Sequence, residues 1–177
     1  MCKRLISILS IFFIGMIISA CNSKSHINKE ANGYTLIEKE NSAPIYDAKT
    51  DKIVAQAYKN FHISLDKVKD NRAYFSLSIH ENPNGNPTNK EFYIPIKYLK
   101  KTYKDPFLIL EIISTDMLSL KENAEIYDDN DNPIAKFTEN IGAMRFIQKT
   151  DKGYQLVIAN NLVYIKEEDI IIIPQKQ

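Results

Sequence analysis

A set of features that occurs twice in the same order most constrains how this chain can fold. The stretch 41–47 (NSAPIYD) resembles the stretch 123–128 (NAEIYD), with one residue of slippage. Each copy continues with a polar loop, an isoleucine, an alternating segment, a charged turn and a strand that begins at a tyrosine. Recurrence of features in a fixed order indicates a duplicated structural unit. We therefore expect two copies of one small unit in this chain.

The later features of the repeat indicate which residues correspond. We align Ile53 with Ile134 after the polar loops, and Tyr74 with Tyr154 at the start of the strands that follow. Both copies close on similar apolar and aromatic stretches, YIPIKYL at 93–99 and YIKEEDI at 164–170. These correspondences predict that the repeat spans most of the chain.

Short segments in which apolar and polar residues alternate follow one another along the chain beyond residue 33. They are rich in Ile, Val, Phe and Tyr, and alternation of this kind is typical of half-buried strands. Residue pairs that tolerate tight hairpin turns separate several of them: Asp70-Asn71, Asn84-Gly85, Lys152-Gly153 and Asn160-Asn161. No convincing helical stripe of apolar residues interrupts the pattern. The sequence therefore predicts an all-β fold of two small β-barrels in tandem.

Residues 1–20 have the organisation of an export signal. Two basic residues precede an uncharged apolar run at 5–20, which is shorter than the roughly 20 residues that a spanning helix needs. The run closes on 18–21 (ISAC), which resembles the lipobox of bacterial lipoproteins. The resemblance implies cleavage before Cys21 and lipidation of its thiol. An ordinary signal peptide with an accidental cysteine, and an uncleaved anchor helix, are the alternatives.

The lipobox also implies where the protein is held. Lipoproteins of Gram-negative bacteria carry three acyl chains, palmitate among them, and two or more chains suffice for stable membrane anchoring. Asn22 follows the cysteine, whereas an aspartate there would favour retention at the inner membrane. The resemblance therefore implies the outer membrane, facing the periplasm; in a Gram-positive organism the same anchor holds the protein on the outer leaflet. Residues 21–33 are polar and are expected to form a flexible tether.

Removal of the signal peptide leaves a nearly neutral chain without a cysteine pair. Lys3 and Arg4 leave with it, so 21 of the 23 basic residues remain against 22 acidic ones. This balance gives no indication of nucleic-acid binding. Cys2 is removed as well, so no second thiol remains for Cys21 and the fold has to be stable without disulfides.

The closing stretches resemble those of bacterial Src-homology-three-like (SH3-like) domains of the cell envelope. That signature is an aromatic and an apolar residue, then three residues that form a single helical turn in the family, then an aromatic or acidic residue and an apolar one. The resemblance covers 34–100 and 115–173 and implies a barrel in each copy. It also implies a role in binding cell-wall peptides.

The chain departs from the family at the positions of its central tryptophan and of the glycine before the closing aromatic residue. The residues found there are Tyr74 and Tyr154 for the tryptophan, and Phe92 and Val163 for the glycine. The first copy also carries an insertion at 80–91 (HENPNGNPTNKE). These departures alter the aromatic residues at the base of the peptide-binding site of the family.

The predicted organisation is therefore a signal peptide, a tether, two SH3-like barrels and a connector between them. We place these segments at 1–20, 21–33, 34–102 and 115–177, with the connector at 103–114. The connector contains an apolar run that follows Pro106, and we expect it to form a strand buried at the junction of the domains. A short helix that closes the first barrel is the alternative.

The inventory of chemically active residues predicts neither an enzyme nor a metal or cofactor site. His26, His62 and His80 lack partners at the spacing of metal ligands. The stretch 128–132 (DDNDN) resembles the start of a calcium loop, but Pro133 stands where that loop needs a glycine, so an exposed acidic hairpin is expected. No serine lies in a nucleophile motif, and the paired carboxylates at 167–168 are expected to be solvated.

Tyr46 and Tyr127 are the candidate binding residues, because they follow the first alternating strand of each copy, where related domains expose part of a binding groove. Tyrosine offers a large rigid contact area together with a hydroxyl group. The alternative is that both rings only cover the rim of the barrel.

We expect a non-enzymatic lipid-anchored module that binds an envelope protein or a peptidoglycan peptide, with the membrane as its second partner. The alternative is an immunity or inhibitor lipoprotein that neutralises a toxin or a wall-degrading enzyme in the periplasm, with the insertion at 80–91 as its inhibitory loop. A structural lipoprotein of a larger envelope assembly is a third possibility.

Overall fold

The structure is a computed structural model that describes residues 33–37, 39–82, 84–102, 116–159 and 161–174. Residues 31–177 form one compact unit. The predicted signal peptide, almost all of the predicted tether and the predicted connector lie outside the described residues. Within the part that is described, no helix has both the length and the apolar character to cross a membrane.

The all-β class predicted from the alternating pattern is confirmed, and the described strands fall into two successive sets. The first set is β1 (Gly33–Leu36), β2 (Ser42–Asp47), β3 (Ile53–Tyr58), β4 (Lys67–Lys69), β5 (Arg72–Ile79), β6 (Thr88–Pro95) and β7 (Leu99–Thr102). The second set is β8 (Met117–Leu120), β9 (Glu125–Tyr127), β10 (Pro133–Phe137), β11 (Ala143–Arg145), β12 (Gln148–Thr150), β13 (Gly153–Ile158), β14 (Asn161–Ile165) and β15 (Ile170–Ile173). We call the parts that contain these sets the first half and the second half.

The two halves pair their strands in the same way. In the first half β2 pairs with β3 and β6, while in the second half β9 pairs with β10 and β14. Pairing of β1 with β7 corresponds to pairing of β8 with β15. Even the contact of β11 with β8 has a counterpart, a single bridge between Tyr34 and Ile63. The repeat read from the sequence is therefore present in the strand connectivity.

One sheet crosses from the first half into the second. Its strand order is β12-β13-β14-β9-β10-β3-β2-β6-β5-β4, so the order on one side of the centre mirrors the order on the other. The halves meet where β3 pairs antiparallel with β10, which are corresponding strands. The halves are thus related by an approximate two-fold axis, and in the described residues the strands form open sheets rather than closed barrels.

Two residue correspondences predicted from the sequence are wrong by one position. The first is that of Ile53 with Ile134. Ile45 pairs with Ala55 and Ile126 pairs with Ala135, so that Val54, and not Ile53, corresponds to Ile134. Val54 and Ile134 are both buried, whereas Ile53 is exposed. The physical reason is that a slip of one residue along a strand moves every side chain to the opposite face.

The same slip affects the tyrosines at the start of β5 and β13. Tyr74 pairs with Tyr93, and the residue that pairs with Tyr164 is Gln155 rather than Tyr154. Tyr154 is buried against Phe146, with ring centroids 5.1 Å apart. Tyr74 and Tyr154 therefore lie on opposite faces of their strands and are not equivalent.

A single 3-10 turn follows the closing aromatic pair in each half. The turns are Ile96–Tyr98 and Glu167–Asp169, each one residue later than the turn that the closing signature predicts. Part of the predicted insertion is also regular structure, because β6 begins at Thr88 and pairs with β5 as far as Ile79. The insertion thus lengthens the β5–β6 hairpin, and the described residues at the tip of this hairpin are exposed.

Buried side chains from both halves belong to one hydrophobic cluster. Ile45, Phe92 and Phe61 of the first half pack in the same cluster as Ile126 and Val163 of the second. Burial of large apolar side chains is the main source of stability of such a folded unit. The domain boundaries proposed from the sequence stay a prediction.

Candidate functional site

Tyr46 stacks on Tyr93 at the outer face of the first half. β2 pairs with β6 so that these two residues are directly opposite each other. Their ring centroids are 4.8 Å apart and their planes differ by 5°. Tyr46 remains half-buried while Tyr93 is buried beneath it. Tyr46, the candidate binding residue predicted from the sequence, is thus one member of a cross-strand aromatic pair.

Charged groups frame this pair of rings. The guanidinium of Arg72 lies 4.3 Å from the centroid of the Tyr93 ring and donates a hydrogen bond of 2.9 Å to Oδ1 of Asp51. The Tyr93 hydroxyl donates to the same carboxylate oxygen, also at 2.9 Å. The Tyr74 ring packs beside Tyr93, with centroids 5.7 Å apart. We call Tyr46, Tyr74, Tyr93, Arg72 and Asp51 the first tyrosine surface.

The environment of Tyr93 favours its neutral phenol. Burial raises the pKa of Tyr93 to about 12, and the hydrogen bond to Asp51 acts in the same direction. The positive charge of Arg72 opposes this effect without cancelling it. At neutral pH Tyr93 is therefore a fixed hydrogen-bond donor that holds Asp51 at the edge of the ring stack.

The second half carries a corresponding group around Tyr127. β9 and β14 place Tyr127 opposite Tyr164, as β2 and β6 place Tyr46 opposite Tyr93. Cations again cover the rings, with the ammonium of Lys166 4.5 Å from the Tyr127 centroid and that of Lys152 5.8 Å from the Tyr164 centroid. We call Tyr127, Tyr164, Lys152 and Lys166 the second tyrosine surface.

Hydrogen bonds fix the orientation of these two rings. The Tyr127 hydroxyl donates to Oε2 of Glu125 at 2.8 Å, and Nε2 of Gln155 donates to the Tyr164 hydroxyl at 2.8 Å. Burial raises the pKa of Tyr127, and the bond to Glu125 adds to the rise, while Lys166 opposes it. The Tyr127 hydroxyl group is thus neutral at physiological pH.

A groove of about 610 Å³ borders the second tyrosine surface. Cationic and acidic side chains alternate along it, and its lining includes Tyr127, Lys149, Lys152, Lys166 and Glu167. Lys149 and Glu167 form an exposed ion pair at 2.7 Å. Half-exposed aromatic rings beside cations suit recognition of an anionic or aromatic group on a partner.

Two strands lie between β2 and β9 in the sheet, so Tyr46 and Tyr127 belong to separate surfaces rather than to one site. The sequence prediction missed their partners across the strands, Tyr93 and Tyr164. A signal was present, since an aromatic residue recurs at the start of both closing stretches. The cations could not be assigned, because their contact with the rings depends on strand pairing.

The acidic stretch that resembles the start of a calcium loop forms a hairpin turn. Oδ1 of Asp128 accepts hydrogen bonds from the backbone N–H groups of Asn130 and Asn132, both at 2.9 Å. Asp47 has the same role in the first half, where it accepts from the N–H groups of Lys49 and Thr50. These carboxylates cap turns, as is typical of aspartate. No group of three or more metal-ligating side chains occurs in the described ranges.

These turn bonds shift the ionisation of both aspartates. Burial by itself raises the pKa of Asp47, but the hydrogen bond from Thr50 and the contact with Lys90 outweigh it, so the pKa lies below its ordinary value. The pKa of Asp128 is lowered in the same way against the effect of burial, mainly by Asn132. Both groups are therefore carboxylates at neutral pH and stabilise the turns as such.

The remaining residues considered from the sequence are dispersed. Cys21 and His26 lie outside the described residues. His62 lies after β3, and its carbonyl oxygen accepts a hydrogen bond from the Asn161 side chain. His80 lies at the end of β5, and the carboxylates at 167–168 lie on an exposed 3-10 turn. Among the described residues, His80 makes no hydrogen bond to a serine or an acidic side chain, as the histidine of a catalytic triad would.

The function has to be inferred from this geometry. No family model, curated protein or solved structure matches the chain. The function is therefore inferred from the chemistry of the two tyrosine surfaces and from the lipobox pattern at 18–21.

Proposed function

We propose that this chain is a non-enzymatic lipoprotein of the bacterial cell envelope that binds a protein or a cell-wall peptide. The observation that carries the proposal is the recurrence of a tyrosine surface with adjacent cations at corresponding places in the two halves. Core packing does not require half-exposed tyrosines at both places. Tyrosine and arginine, with tryptophan, are enriched among the residues that dominate binding energy at interfaces.

We also propose that each half is a divergent SH3-like domain. The strand pairing of the halves supports this, because the first and last strands of each half pair with each other. The single 3-10 turn just before the last strand supports it as well. The open ten-stranded sheet would then be two such domains joined through β3 and β10.

Binding would be bivalent. Both tyrosine surfaces lie on strands of one sheet, so their separation is fixed by the fold and not by a linker. When two sites are held at a fixed distance, the second contact with a repetitive partner forms intramolecularly and avidity exceeds the affinity of either site. A polymer with a repeated peptide, such as peptidoglycan, is a partner of this kind.

The anchor would be the lipid on Cys21, with residues 21–33 as a spacer. The proposed location is the outer membrane, with the folded part in the periplasm. The support is the lipobox pattern at 18–21 and the asparagine that follows it. Two or more acyl chains give stable anchoring.

The test is a pull-down with the full-length protein in detergent, offered in parallel to purified peptidoglycan and to solubilised envelope proteins. We expect retention on one of them, and loss of retention in the Tyr46→Ala/Tyr127→Ala double variant. Tyr58→Ala is the matched control, because Tyr58 is half-buried but belongs to neither surface. Retention that survives the double variant, or no retention on either material, would contradict the proposal.

An immunity or inhibitor lipoprotein is the second candidate. The exposed tip of the β5–β6 hairpin favours it, since the tip projects at the end of a long pairing of β5 with β6. A protruding loop can fill the active-site cleft of an enzyme. Co-purification of one enzyme without wall binding, lost when residues 81–87 are replaced by a short turn, would support this candidate.

A further inference from the structure

A cleft of about 590 Å³ lies between the two halves. None of the residues that line it belongs to either tyrosine surface. Its size falls in the range of sites that bind small ligands, roughly 300–1,000 Å³. Main-chain hydrogen bonds between His80 and Ala143 join the halves beside it, so both walls are held in place.

The residues of the two walls correspond to each other in the repeat. The N–H of Asp66 donates to the carbonyl of Tyr74, and the N–H of Ile147 donates to that of Gln155, so Asp66 corresponds to Ile147. The same register relates three more pairs of lining residues. The corresponding pairs are Ser64 and Arg145, Ser76 and Val157, and Ser78 and Ala159. The cleft is therefore on the approximate two-fold axis.

The chemistry of the walls differs although their positions correspond. The first-half wall presents mainly hydroxyl groups and a carboxylate, from Ser64, Asp66, Ser76 and Ser78, beside the apolar Leu77 and Pro87. The second-half wall presents apolar side chains and a guanidinium, from Arg145, Ile147, Val157 and Ala159. Val157 is an exposed apolar residue, with 38 % of its surface accessible. A cleft with one mainly polar and one mainly apolar wall fits a ligand that has a polar side and an apolar side.

Opposite charges stand on the two walls without pairing. The carboxylate of Asp66 accepts a hydrogen bond of 2.7 Å from the Ser76 hydroxyl. Within the part of the chain that the structure describes, Arg145 makes neither an ion pair nor a hydrogen bond through its side chain, and it is exposed. A ligand with one positive and one negative group would satisfy both residues.

His80 adds a polar ring atom to the cleft. Only 5 % of the residue is exposed, and its Nδ1 lies 3.0 Å from the carbonyl oxygen of Gly85. Because a carbonyl oxygen only accepts, Nδ1 carries the proton in this hydrogen bond, and in that tautomer Nε2 is an acceptor. Nε2 has no hydrogen-bond partner among the described residues and is not a buried atom, so it is available to accept a hydrogen bond from a ligand in the cleft.

We propose that the cleft binds a short zwitterionic peptide. Asp66 and His80 receive its ammonium group, Arg145 receives its carboxylate, and an apolar side chain packs on Val157. A peptide is favoured over a sugar because the described residues that line the cleft include no Phe, Tyr or Trp ring for a sugar to stack on. The inference goes beyond the proposed function, since it uses neither the tyrosine surfaces nor the lipid anchor.

The experiment is calorimetric titration of the full-length protein in detergent with the tripeptide Ala-Leu-Ala, with free termini or with acetyl and amide caps. The free peptide should bind. The capped peptide should bind with an affinity at least about tenfold lower, because charge-assisted hydrogen bonds to its termini are lost. Arg145→Gln and Asp66→Asn should each lower the affinity by about tenfold. Asparagine retains the oxygen that accepts from Ser76, so the wall itself is preserved.

One control separates this site from others. Lys52→Gln removes an exposed cation on the β2–β3 turn and should leave binding unchanged. The proposal is overturned if the free peptide does not bind, if capping has no effect, or if Arg145→Gln and Asp66→Asn bind like the parent. Binding of an N-acetylglucosamine tetramer that depends on Arg145 and Asp66, in place of the peptide, would also overturn it.

Discussion

Gln56 of β3 lies directly opposite Lys136 of β10, and this pair is the centre of the contact between the two halves. One position along, Ala57 faces Ala135, and both are fully buried. Since corresponding residues meet across the centre, the halves pack as two subunits of a symmetric dimer do, with each contact made twice. Small side chains here allow one continuous sheet to join the two copies.

Gly153 should be indispensable at the turn between β12 and β13. Its φ is +120°, and a Cβ atom there would overlap the carbonyl oxygen of Ile165. We expect Gly153→Ala to lower the free energy of unfolding by about 2 kcal/mol or more, from backbone strain and from displacement of β14. Urea unfolding followed by circular dichroism measures this.

Gly85→Ala is the matched control for that variant. Gly85 has no positive φ, and the nearest atom to an added Cβ is the Asn82 carbonyl oxygen at 3.3 Å. We expect a change below about 0.5 kcal/mol, as at surface positions in general. Equal losses in the two variants would show that the close approach of β14 is not what selects glycine.

Asp47 should stabilise the fold in a pH-dependent way. Its folded-state pKa is lowered, so its contribution is complete above the unfolded value near 3.8 and is lost as the pH falls through the folded-state value. Asp47→Asn keeps an oxygen for the turn bonds but removes the charge that Lys90 contacts at 3.2 Å. We expect a loss of about 1 kcal/mol at neutral pH that shrinks below pH 3.8.

The measurement is urea unfolding of both proteins at several pH values between neutral and strongly acidic conditions. Lys49→Gln is a suitable control, because the turn uses only the backbone N–H of Lys49. A deficit of Asp47→Asn that stays constant over the whole acid range would contradict the assignment of the charge as its cause.

Tyr93 should dominate the alkaline behaviour of the first tyrosine surface. Its pKa is raised to about 12 from 10.0, so its contribution to stability is complete below pH 10 and declines as the pH rises toward 12. Tyr93→Phe removes the hydrogen bond to Asp51 and should cost about 1 kcal/mol at neutral pH. Between pH 10 and 12, the free energy of unfolding of this variant should fall less than that of the parent protein.

Absorbance of tyrosinate during an alkaline titration tests the same assignment directly. The parent protein should show one phenol that ionises near pH 12, and Tyr93→Phe should lack it. If that late ionisation persists in the variant, the buried phenol is a different residue.

Cys21 should determine where the protein is found in the cell. We expect Cys21→Ser to abolish lipidation and to move the protein from the membrane fraction to the soluble fraction, because the lipid is the proposed anchor. Metabolic labelling with palmitate and fractionation of the cell envelope measure both effects. A substituted protein that is still labelled and membrane-bound would show that the anchor lies elsewhere.

The sequence by itself determined the class of structure and the existence of the repeat. Alternation with a period of two predicts strands wherever it occurs, because successive side chains of a strand point to opposite faces. The correspondence of Ile45 with Ile126 and of Tyr93 with Tyr164 could be read directly, since each is fixed by a distinctive local pattern. Tyr46 and Tyr127 were found as corresponding residues for the same reason.

Only the tertiary structure decided which strands pair, in which register, and what each tyrosine contacts. Local patterns do not show that β3 pairs with β10, since that contact joins segments far apart in the chain. They also could not distinguish Tyr154 from Gln155 as the counterpart of Tyr74, because a slip of one residue preserves the pattern and reverses the face. The cation–ring contacts and the two-sided cleft exist only once the pairing between distant strands is fixed.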